Sequence, residues 1–112
     1  MTDRELLEAA AKAAGYEFRV ETYGDDFQVL VCGGLWNPLT DDGDALRLFA
    51  CMPFCELYVS EIGATVFLPR RGQGEGPNLK CDEYAHETNS DLQAAIRRAI
   101  TRAAAAIGKE MK

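Results

Sequence analysis

The sequence predicts a single α+β domain in which three helices pack on a small, largely antiparallel sheet. Three observations carry this. Apolar residues recur at helical spacing near both ends and once in the middle. The segments between them alternate polar with apolar, or are rich in β-branched and aromatic residues. Glycine- and aspartate-containing turns separate those segments closely enough to make hairpins. At 112 residues the chain fits one domain, residues 1–112, that buries about 65% of its extended surface around a single core.

Thr2 followed by Glu5 forms a capping box, and Leu6, Leu7, Ala10, Ala11 and Ala14 keep helical period until Gly15, so the first helix is expected over residues 3–14. In YEFRVET the alternation places Tyr16, Phe18 and Val20 on one face and Glu17, Arg19 and Glu21 on the other, a strand with one wet side. Gly24-Asp25-Asp26 is its turn. FQVLVC follows, apolar on both faces from Val29 to Cys32, which predicts a strand covered on both sides, with helices above and below the sheet. Gly33-Gly34 ends it, and Trp36-Asn37-Pro38 turns the chain into a helix over about residues 41–51. Thr40 is the expected cap, with Asp41, Asp42 and Asp44 beside the positive end of the dipole and Leu46, Leu48, Phe49 and Met52 as the apolar face.

Residues 55–69 predict a hairpin turning at Glu61-Ile62-Gly63, and RRGQGEGPN a mobile connection. That loop lacks the Lys-Ser/Thr of a phosphate loop. LKCDEYAHE adds a short edge strand. Ser90 and Gln93 box the start of the last helix, whose stripe is Leu92, Ile96, Ala99, Ile100, Ala103 and Ile107, with Gly108 near its end. At about 1.5 Å per residue it is close to 30 Å long.

Composition narrows the function classes. A net charge of −6 argues against coating duplex nucleic acid, where affinity comes from Lys and Arg displacing counterions. Residues 91–112 nevertheless carry five Lys/Arg against two acids, leaving seven against sixteen elsewhere, so a basic helix lies on an acidic body. No run of about eighteen apolar residues predicts a membrane span, and the acidic N-terminus is not that of a signal peptide, so the chain is expected in the cytoplasm. The cysteines at 32, 51, 55 and 81 form no C-x-x-C pair and are expected as reduced, packed thiols. The alternative is a metal site of Cys51, Cys55, Cys81 and His86. The aspartates at 41, 42 and 44 lack the later oxygen ligands of a calcium loop, which favours helix initiation as their role.

WNPLTDDGDALRL at 36–48, followed by DLQAAIRRAITRAAAAIGKEM at 91–111 and preceded by ELLEAAAKAAG at 5–15, resembles the phage ABA (α-β-α) sandwich domain family of small tailed-phage and prophage proteins. The resemblance spans nearly the whole chain, while CMPFC and the glycine-rich loop depart from it. It implies an α-β-α sandwich, phage coding and the cytoplasm of the bacterial host as workplace. It brings no catalytic residues.

Three kinds of function follow as expectations. The leading one is a non-enzymatic accessory protein without cofactor that binds a host or phage protein and inhibits host machinery or antiviral defence. The second binds or sequesters a nucleotide or nucleotide signal, with Trp36 stacking a base and Arg70, Arg71 or the arginines at 97, 98 and 102 meeting phosphate. Against it, Trp36 is better placed as a core anchor under the Pro38 turn. The third is a small hydrolase or zinc module, whose ingredients would be the three aspartates, Glu83, His86 and the cysteines.

Overall fold

In the computed structural model, which describes residues 2–31, 34–52, 55–61, 63–69, 77–84 and 91–110, helix α1 runs Asp3–Ala14 as its caps dictate. Thr2 accepts from the Glu5 amide, Glu5 reaches back to the Thr2 amide, and Gly15 closes the helix at φ 78°. That left-handed conformation is cheap only without a Cβ.

The elements then follow as β1 (Phe18–Tyr23), β2 (Asp26–Val31), β3 (Gly34–Leu35), α2 (Asp42–Ala50), β4 (Glu56–Ser60), β5 (Gly63–Pro69), β6 (Pro77–Tyr84) and α3 (Leu92–Glu110). This is the expected α+β architecture with three helices. Every strand pair among the described residues is antiparallel, and the strands are shared between two three-stranded sheets, β1-β2-β3 and β4-β5-β6. The division falls where β3 stops after two residues and the chain leaves for α2.

In the first sheet Val20 pairs with Val29 and Phe18 with Val31; Val20, Val29 and Val31 lie on the core, while Phe18 is exposed. The expectation that β2 is covered on both sides is corrected. Val29 is buried, but Leu30 on the opposite face is only half-buried beside the exposed Leu35. In the second sheet the hairpin reverses between Ser60 and Gly63, and Gly63 is already in β5, paired with Ser60. The edge strand β6 starts at Pro77, two residues before the segment in which it was expected, with the ladder shifting register between Leu68 and Pro69.

Helix α3 packs on α1, on β5 and β6, and on α2. Its stripe at Ala99, Ile100 and Ala103 is buried, whereas Leu92, Ile96 and Ile107 are half-buried. A second buried stripe of small residues runs through Thr101, Ala104, Ala105 and Gly108. Gly108 lies against the backbone of Ala9, so a Cβ there would overlap the Ala9 carbonyl group. Gly108 is therefore inside the helix as a close-approach residue and does not end it. Arg98 meets Asp3 at 3.5 Å and Gly108 meets Ala9 further along both helices, so α1 and α3 run in roughly the same sense. Small side chains let the two backbones approach, and the gain is dispersion contact along the whole seam. Buried Thr101 donates its hydroxyl to the Arg97 carbonyl at 2.8 Å, which satisfies the polar group that burial would otherwise penalise.

Leu7, Ala10, Ala11, Val29, Trp36, Ala45, Leu48, Met52, Val66 and, from α3, Ala99, Ile100, Ala103 and Ala104 belong to one core. Among the described residues no helix is long and apolar enough to cross a membrane.

Candidate functional site

The segment 36–48 carries Asn37, Thr40, Asp41, Asp42, Asp44 and Arg47, and its geometry decides what these polar side chains can do. Trp36 donates its amide to the Val29 carbonyl at 2.9 Å and turns its indole inward. The residue is 6% exposed, and its ring meets Tyr16 edge-to-face at a centroid separation of 5.8 Å. Pro38, two residues on, is fully buried. Between them, Asn37 organises the turn. Its side-chain oxygen accepts from the Leu39 amide at 3.0 Å, and its carbonyl accepts from the Thr40 and Asp41 amides at 3.1 and 2.9 Å.

Each aspartate has a structural partner. Asp41, and not Thr40, is the N-cap, with extended backbone and a carboxylate that accepts from the Asp44 amide at 2.8 Å. Thr40 instead belongs to the turn before the helix, its hydroxyl 3.5 Å from the Asn37 carbonyl. Asp44 accepts from the Asn37 amide at 2.9 Å and from Arg47 at 2.8 Å, and this charge-assisted bond holds the Arg47 guanidinium even more firmly protonated. Asp42 receives Arg97 from α3 at 2.6 Å, while the same guanidinium donates Nε–H to the Leu39 carbonyl at 2.9 Å. The three acids thus fasten the entrance of α2 to its own first turn, to the preceding loop and to α3. Helix initiation is the role this geometry supports.

The apolar face of α2 differs from the expected one. Ala45, Leu48 and Met52 are buried with Phe49 packed against them, but Leu46 is 67% exposed. Positions 45, 48, 49 and 52 share one face at three- and four-residue spacing, and Leu46 lies off it. Hydrophobicity alone did not show which leucine would face out, because Ala45 hides in the pattern.

The α3 start is also reassigned. Asp91 caps it, accepting from the Ala94 amide at 3.0 Å, and Ser90 lies outside the described residues. Of the arginines considered for phosphate, Arg97 and Arg98 reach Asp42 and Asp3. Arg70 and Arg71 lie outside the described residues. Trp36, considered for stacking a base, is 6% exposed and packs in the core with its ring edge-to-face on Tyr16.

The cysteines divide. Cys51 is exposed and not packed, with its sulfur 3.7 Å from the Tyr16 hydroxyl. Burial, with help from that sulfur, pushes the Tyr16 phenol above its ordinary pKa. Cys55 is half-buried, and desolvation raises its thiol pKa and favours the uncharged form. Cys81 is opposite Val66 in the β5–β6 ladder, and Cys32 and His86 lie outside the described residues. Among the described residues no group of three or more His, Cys, Asp or Glu is placed to hold a metal ion.

Sequence reasoning missed the Arg97 link and the Gly108 contact. The second carried a signal, an Ala104-x-x-x-Gly108 spacing inside an otherwise strong helix; the first, spanning 55 residues between its partners, carried none. No family model, curated protein or solved structure matches the chain.

Proposed function

We propose that this chain is a small, non-enzymatic phage accessory protein that acts by binding a host or phage protein in the cytoplasm of the bacterial host, against host machinery or antiviral defence. The phage setting rests on the resemblance of segments 5–15, 36–48 and 91–111 to the phage ABA sandwich family. The binding role is supported by one observation: the polar side chains of segment 36–48 are engaged in holding α2, while large apolar side chains stand in water. Tyr23, Leu35, Leu46 and Tyr58 are each more than half exposed on an acidic surface. Aromatic and aliphatic anchors of this kind supply interface energy when a partner desolvates them.

The test is affinity capture from infected host cells with the wild-type chain beside Leu46→Glu and Tyr58→Glu variants of unchanged thermal stability. A partner retained by the wild type and lost by at least one variant supports the reading. Thermal stabilisation of the wild type by a nucleotide, with no protein retained, would transfer the assignment to the nucleotide-binding alternative.

A further inference from the structure

We propose that two copies of this chain pair through their β1 strands, joining the two β1-β2-β3 sheets into one. The argument starts at Val29. Its carbonyl accepts from the Trp36 amide, so its main chain points toward β3. Val29 is opposite Val20. In an antiparallel ladder such a pair is not bonded across, and its two members direct their main-chain groups away from each other. Val20 therefore presents its N–H and C=O to the outer edge of β1, and by the two-residue alternation so do Phe18 and Thr22.

That edge is open. β1 ends the sheet order, and Phe18, Arg19, Thr22 and Tyr23 are exposed. It contains no proline or bulge, two of the devices that blunt an edge; its charges are of both signs, and its other residues favour extended structure.

Charge complementarity selects the occupant and the register. A two-fold axis at Val20 pairs Val20 with Val20 of the second copy and Phe18 with Thr22, each through outward-pointing main-chain groups. Arg19 then falls opposite Glu21 of the other copy, and Glu21 opposite its Arg19. Both are non-hydrogen-bonded positions, where facing side chains approach most closely. Within one copy the same two charges meet along their own strand, Arg19 to Glu21 at 3.1 Å. At the β4 edge of the second sheet Glu56 is the one charged residue, and pairing centred on Tyr58 would set it opposite Ser60, so no charge specifies a second copy at that edge. A six-residue edge buries less than a standard interface, which makes the dimer reversible.

The experiment is sedimentation equilibrium of the full chain at physiological salt and high micromolar concentration. The wild type is expected to rise toward the mass of two chains. Arg19→Glu and Glu21→Arg each place like charges opposite one another and should each remain single. Mixed in equal amounts they should associate, because both glutamates of the first variant then face arginines of the second. Neither variant keeps the bridge along its own strand, so regained association can come only from contacts between copies. Thr22→Pro removes an edge-facing N–H that the sheet's own ladder does not use, and should abolish pairing while leaving the fold intact. A wild type that stays single, a mixture that stays single, or a Thr22→Pro chain that still pairs would overturn the proposal.

Discussion

Arg97 and Asp42 meet at 2.6 Å across the junction of α3 and α2, with the arginine side chain 16% exposed and the aspartate 63%. The pair is asymmetric, since Arg97 also holds the Leu39 carbonyl and buries its stem. Arg97→Ala should cost about 2 to 3 kcal/mol, and Asp42→Ala about 0.5 to 1 kcal/mol, as for a largely exposed pair. Chemical denaturation of both variants and of the double variant checks this. Equal costs would mean that the ion pair alone matters and the Leu39 contact does not.

Gly108→Ala sets two effects of opposite sign against each other. Helix propensity alone favours alanine by about 1 kcal/mol. The clash with the Ala9 backbone forces α1 and α3 apart and costs about 1 to 3 kcal/mol. The contact should win, because a backbone cannot move aside as a flexible side chain can, and the denaturation midpoint should fall. A midpoint that rises would show the helix seam to be looser than the geometry has it.

Trp36→Ala removes the aromatic that joins Tyr16 to the core and should cost about 3 to 5 kcal/mol, enough to unfold much of a domain this small. Trp36→Phe keeps part of the contact and should lose less. A folded Trp36→Ala chain with an unchanged midpoint would contradict the anchor.

The capping box makes stability depend on acid. Hydrogen bonds from the Thr2 amide and then its hydroxyl hold the Glu5 carboxyl below its ordinary pKa. A lowered folded-state pKa stabilises the fold above the unfolded-state value, and that contribution is lost as pH falls through the folded-state value. Melting temperature measured from about pH 6 to about pH 3 should drop less steeply for Glu5→Gln than for wild type. Parallel curves would remove Glu5 from the acid response.

Chelation with EDTA should leave the melting temperature unchanged if the thiols act as side chains and not as ligands. Cys51→Ala, at an exposed position, should shift stability by no more than about 0.5 kcal/mol, and the half-buried Cys55→Ala by about 1 kcal/mol. Metal released together with unfolding would instead establish the site of Cys51, Cys55, Cys81 and His86.

Local chemistry made much of this fold legible. Thr2, Glu5 and Gly15 determine α1 because capping acts within one turn of chain. The alternation around Val20 and Val29 determines a hairpin because strand side chains have period two. The three aspartates mark the start of α2 for the same local reason. Tertiary structure decided what those residues touch. That Asp42 belongs to Arg97, that Ala45 and not Leu46 faces inward, and that Gly108 seats Ala9 all depend on how separate elements pack. It also decided that the strands form two sheets and that, among the described residues, β1 is left as an open edge. A residue's neighbours along the chain set its backbone conformation, but its partners across the core are chosen by the shape and charge of elements that the spacing of residues does not bring together.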